Sequence, residues 1–119
     1  MANEFNYLRK FSAVLMCALL ALSTPAIGKS TEKTIQPLLQ NSSALEKGKE
    51  QYLLHCAGCH KKDLSGAVGF NLKDGEWVHG GQPEQILQSL QQGFDKAGMP
   101  GFGPILPLAD QHRIVAYIL

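Results

Sequence analysis

Two thiols and an imidazole stand together in Cys56-Ala57-Gly58-Cys59-His60, with two residues between the cysteines and none before the histidine. A thiol adds across a vinyl group to form a thioether. Two cysteines at this spacing reach the two vinyl groups on one haem, and an imidazole placed directly after them lies beneath the iron as proximal ligand. For these reasons C-x-x-C-H reads as a covalent haem c attachment site. Three other uses of a cysteine pair fit less well. A thioredoxin-like dithiol belongs in a βαβ setting, and no convincing strand alternation surrounds this one. Zinc would need two more ligands at suitable spacing, and His55 and His79 make no second cluster. A disulfide would suit a short exported chain, but the adjoining His60 points to haem.

Haem iron in electron-transfer proteins often takes a methionine thioether opposite its histidine, which raises the reduction potential. The chain has three methionines, and Met99 is the one beyond the N-terminal region. It sits in Lys96-Ala97-Gly98-Met99-Pro100-Gly101-Phe102, a stretch stiffened by Gly and Pro. A methionine that only fills a core is expected at helical spacing, and this one is off any helical pattern. Met99 is therefore the candidate sixth ligand and His79, beside Gly80 and Gly81, its rival. His55 and His112 are expected at the surface. No distal His–Arg pair suited to peroxide chemistry is visible.

Three short helices must position these groups. Ser42 or Ser43 can cap a helix from about Ala44 to Leu54, with Glu46 completing a capping box. Leu45, Gly48, Tyr52 and His55 recur along it at helical spacing. Pro83 suits the first turn of a second helix with Ile86, Leu87 and Leu90 as its apolar stripe, ended by Gly93. Asp110 opens a third, carrying Ile114, Val115, Tyr117 and Ile118. Residues 61–82 and 98–107 are Gly- and Pro-rich loops, more loop than a small domain usually holds. A large apolar cofactor that completes the core accounts for the excess.

The chain has 119 residues, room for one small domain. Arg9 and Lys10, the uncharged run Phe11 to Leu22, and the small residues to Gly28 form a secretory signal peptide. The run is shorter than the roughly 20 residues of a membrane span. The division expected is a signal peptide at 1–28, a loose N-terminal arm at 29–43 and the haem domain at 44–119. Removing Glu4, Arg9 and Lys10 with the signal leaves nine basic and nine acidic residues. That balance gives no support for nucleic-acid binding.

With these residues in view, the chain from about Ala44 to Leu119 resembles the class I c-type cytochromes, in particular short bacterial ones and the cytochrome domains of terminal oxidases. The resemblance rests on Gly48-Lys49-Glu50-Gln51-Tyr52 before the binding motif and on Asn71-Leu72-Lys73-Asp74 with Trp77 and Gly80-Gly81 after it. Gly98-Met99-Pro100-Gly101-Phe102 and Ile114-Val115-Ala116-Tyr117-Ile118 complete it. It implies an all-α fold in which the first and last helices cross at Gly48 against Tyr117, and a Trp77 near the haem propionates. The family usually carries Pro before the Asn-Leu pair, and its neighbourhood supplies a carbonyl to the proximal histidine. Here Phe70 stands there, and the Gly69 carbonyl is the expected acceptor. The function implied is a non-enzymatic mono-haem electron carrier of the periplasm, exchanging electrons with a dehydrogenase or a terminal oxidase. A permanently bound haem subunit of such a complex is the alternative, and a gas sensor with a labile sixth ligand a more distant one.

Overall fold

Asn41 starts the first long helix. Its backbone is extended and its side chain accepts from the Ala44 amide at 3.0 Å, so the cap is neither Ser42 nor Ser43 but the residue before both. Asn caps at least as well as Ser, and its position sets α1 at Ser42–His55 in the computed structural model, which describes residues 32–119. The signal peptide assigned to 1–28 lies outside the described residues. Ala44, Gly48 and Tyr52 form the buried stripe of α1. A short α2, Ala57–His60, follows almost without a break. The Cys56 amide donates to the Tyr52 carbonyl at 2.8 Å, and the His60 amide to the Cys56 carbonyl at 3.0 Å.

Pro83 begins α3, Pro83–Gln92, as the sequence predicts. Ile86, Leu87 and Leu90 are buried along it. Gly93 stops it at φ +66. A Cβ there would run into the backbone of Met99, Pro100 and Gly101, so only glycine allows this close approach. The last helix, α4, spans Leu108–Ile118, with Asp110 inside its first turn rather than at its start. There Asp110 pairs with Arg113.

Helices α1 and α4 cross at Gly48, as the family resemblance implies. A Cβ on Gly48 would strike the Arg113 carbonyl and come within 3.1 Å of the Tyr117 Cβ. The missing side chain lets the two backbones touch, and the Tyr52 and Tyr117 rings fill the space beside them with centroids 5.4 Å apart. The core combines Ile86, Leu87 and Leu90 with Phe102, Leu106, Ile114, Val115 and Ala116.

Ile35 completes this core and is fully buried. The segment expected as a loose arm therefore docks over its described part. Residues 32–35 are helical and a 3-10 turn follows at Gln36–Gln40. Leu38 and Leu39 also pack against the core. The apolar residues in this mostly polar stretch are too few to show a period, yet burying one isoleucine is worth roughly 1.5–3 kcal/mol. Together with Leu38 and Leu39 it contributes to holding the segment in place. The described residues are helical apart from loops and a lone bridge pairing Phe94 with Met99.

Candidate functional site

His60 is fixed by two neighbours, Phe70 and Gly69. Its Nδ1 lies 2.8 Å from the Phe70 carbonyl oxygen. A carbonyl can only accept, so Nδ1 carries the proton and Nε2 keeps its lone pair, the tautomer a metal-ligating histidine needs. The acceptor is thus Phe70 and not Gly69. The Gly69 carbonyl instead receives the Ala67 amide at 3.0 Å. Gly69 does something else that the sequence did not disclose. Its Cα lies flush on the imidazole, and a Cβ there would overlap the ring.

The turn after His60 is braced from below. Lys61 stands at φ +61, a left-handed conformation that non-glycine residues seldom adopt. Its carbonyl accepts the Tyr52 hydroxyl at 2.8 Å. Tyr52 is fully buried, and burial, with Cys56 and Tyr117 nearby, raises its hydroxyl to about 12. The phenol is therefore a dependable donor. The Ala67 and Gly69 amides both donate to the Cys59 carbonyl, at 3.1 and 3.0 Å, and Gly66 to the His60 carbonyl at 3.0 Å. This loop folds back on the C-x-x-C-H turn and carries the Phe70 carbonyl with it.

Cys56 and Cys59 are free thiols, half-buried and exposed respectively. Burial pushes the Cys56 thiol up to about 11. A thiol so protonated at neutral pH lacks the low pKa of a thioredoxin-like nucleophile. Among the described residues no group of three or more His, Cys, Asp or Glu is placed to hold a metal ion.

Met99 is half-buried in a tight return. The Phe94 amide donates to its carbonyl at 2.7 Å and its own amide to the Phe94 carbonyl at 3.2 Å. Gly98, at φ +80, turns the chain just before it. Phe94 stacks on the His79 ring, centroids 3.9 Å apart and planes 16° from parallel, so the rival ligand is an exposed loop residue occupied with Phe94. His55 is exposed and meets Phe102 edge-on at 6.0 Å. That contact brings the end of α1, just before the cysteines, against the segment just after Met99. Trp77 is half-buried against the core, and Gly81 leaves room for its indole. His112, expected at the surface, is half-buried, and burial lowers its pKa.

The segments around the cysteines and Met99 display large apolar side chains. Leu54 is 74 % exposed, Val68 89 %, Phe70 65 %, Val78 68 % and Ile105 58 %. Two free thiols, an imidazole with a free Nε2, a thioether and loops rich in apolar surface together fit a haem.

An all-helical domain with crossed first and last helices and this donor set is a class I cytochrome c domain. The chain belongs to the family described as "Cytochrome C oxidase, cbb3-type, subunit III", which matches residues 43–118, and covalently bound haem c is the cofactor of such cytochromes. The cbb3-type cytochrome c oxidase subunit FixP of Sinorhizobium medicae is 31% identical over 103 residues, covering 79% of this chain and 35% of that protein. FixP of Bradyrhizobium sp. strain ORS 278 is 39% identical over 100 residues, covering 83% and 32%. The chain thus spans about a third of the length of these relatives. Cytochrome cL from Hyphomicrobium denitrificans superposes with a TM-score of 0.63 at 28% identity, over 81% of this chain and 58% of that one. Cytochrome cL from Methylophaga aminisulfidivorans shares the fold, with a TM-score of 0.65 at 17% identity over 87% and 70% of the two chains.

Proposed function

We propose that this protein is a mono-haem electron carrier of the periplasm, with haem c joined through Cys56 and Cys59 and iron held between His60 and Met99. The haem supplies a one-electron couple when bound. The chain's own residues hold the ligands and exclude water. The observation that carries the reading is the His60 Nδ1 bond to the Phe70 carbonyl, which orients the ring and leaves Nε2 for iron. Trp77 would support the cofactor, its indole N–H serving as a donor to a propionate. The signal at 1–28 exports the chain, and the haem domain extends from 44 to 119. No helix of the described residues is long and apolar enough to cross a membrane. With His60 and Met99 both holding the iron, no position would be left for a substrate, and the domain would transfer electrons without catalysing a reaction of its own. Lys61 and Lys62 are exposed directly after His60 and steer an acidic partner, a periplasmic dehydrogenase or a terminal oxidase.

A second reading is a haem subunit held permanently in an oxidase complex. It is favoured by the relatives, which are named as oxidase subunits. Spectra of the oxidised holoprotein test the ligand set. The weak near-infrared sulfur-to-iron band is expected, and Met99→Ala should abolish it and lower the potential. Survival of the band in that variant would assign the position to another ligand. Rapid carbon monoxide binding by the reduced protein at neutral pH would mean an open iron and replace the carrier with a sensor. Stopped-flow mixing with an oxidase should give fast, salt-sensitive electron transfer. Stable co-purification with the oxidase would favour the subunit.

A further inference from the structure

The apolar stripe of α4 runs through Ile114, Val115 and Ile118, and position 111 continues it one turn toward the N-terminus. An apolar residue is expected there. The residue is Gln111, 2 % exposed and the one buried amide side chain among the described residues. Burying an amide is unfavourable unless it is fully hydrogen-bonded, and this one is. Its Nε2 donates to the Leu106 carbonyl at 2.7 Å and to the Gly103 carbonyl at 3.3 Å. Its Oε1 accepts from Gln91 Nε2 on α3 at 2.9 Å.

Both carbonyls belong to the loop that follows Met99. The backbone of α3 holds the same loop from the other side. The Phe102 amide donates to the Leu90 carbonyl at 2.9 Å and the Gly103 amide to the Gln91 carbonyl at 3.1 Å. Met99 therefore lies between two anchors, its bridge to Phe94 on one side and the Gln91–Gln111 pair on the other.

We infer that Gln111 is a positioning residue that holds the Met99 loop closed over the iron, with Gln91 as its support. The inference rests on the assignment of Met99 as axial ligand. A thioether opposite His60 competes with external ligands for iron, and the apparent affinity of an external ligand scales with the fraction of molecules whose loop is open. A clamp on the loop acts on that fraction. A leucine at 111 would fill a similar volume and keep the helix packed, but would leave the Gly103 and Leu106 carbonyls without their donor.

Imidazole binding to the oxidised, full-length holoprotein, read together with the sulfur-to-iron band, tests this. Gln111→Leu should bind imidazole about tenfold more tightly than the parent, equivalent to about 1.4 kcal/mol of loop opening, and should lose the band at a correspondingly lower imidazole concentration. Gln91→Leu should move both readings the same way by less, and it serves alone if Gln111→Leu does not fold. Ile114→Val, a core change on the same helix, should lower the denaturation midpoint and leave imidazole affinity where it was. Parental imidazole affinity in the glutamine variants, or an equal shift in Ile114→Val, overturns the clamp. A parent without the band that binds imidazole as Met99→Ala does overturns the ligand assignment itself, and the clamp with it.

Discussion

The hydroxyl of Tyr52 donates to the carbonyl of Lys61 across 2.8 Å, tying the centre of the helix crossing to the residue that follows His60. Tyr52→Phe keeps the ring and removes the bond, which should cost about 0.5–1.5 kcal/mol in chemical denaturation of the holoprotein. Burial of the hydroxyl also predicts an alkaline signature. The hydroxyl keeps its proton to about 12 in the folded chain, against 10.0 for a free tyrosine. The unfolded state therefore binds fewer protons between those values, and stability falls as pH rises from 10 toward 12. Tyr52→Phe should flatten that decline, measured as denaturation midpoint against pH. An equally steep decline in the variant would place the titrating group elsewhere.

Gly48 must stay small. The atom that meets its Cβ first is the Arg113 carbonyl, part of a helix backbone that cannot swing aside. Gly48→Ala gains helix propensity worth about 1 kcal/mol and should nevertheless destabilise. Gly48→Val should cost about 1–3 kcal/mol as overpacking. A midpoint at or above the parent's for Gly48→Ala would show that α1 and α4 do not touch there.

Gly69 and Phe70 should separate cleanly. A methyl at Gly69 lands on the His60 ring and should turn it off the Phe70 carbonyl, shifting the reduction potential of holoprotein carrying Gly69→Ala. Phe70→Pro retains the carbonyl that His60 uses, and the side chain it replaces is mostly exposed. Its potential should stay near the parent's. Potentiometric titration of the two variants checks both, and a large shift in Phe70→Pro alone would make the side chain, not the carbonyl, the important group.

Acid should act through His112. Burial lowers its pKa from 6.5 in the folded state. As pH falls through 6.5 the unfolded chain takes up a proton that the folded chain refuses, and stability declines until the folded value has also been passed. His112→Gln should remove part of the loss of thermal midpoint between neutral pH and pH 5. An unaltered acid profile would mean that the ring is charged or free to leave its site.

Much of the haem site is legible along the chain because its chemistry is local. Attachment to two vinyl groups needs two thiols at one spacing and a histidine beside them, and residues 56–60 carry all three within one helical turn. The helix from Pro83 to Gly93 is equally local, with its proline, its stripe and its stop adjacent in sequence. The crossing at Gly48 is legible only through the family resemblance, because a glycine within a helix does not name the helix it meets. Other features arise only from how distant segments meet. Gly69 and Phe70 differ little as carbonyl acceptors for His60, and the choice falls to Phe70 because the loop folds back and turns the Gly69 carbonyl to Ala67. Ile35 is an isolated apolar residue until a groove beside α1 and α4 exists to bury it. Gln111 is a polar residue on the apolar stripe of α4, and its partners appear only when α3 and the loop after Met99 pack beside it. A carbonyl's partner and a side chain's burial depend on which backbone arrives from elsewhere in the chain, and that is decided by packing.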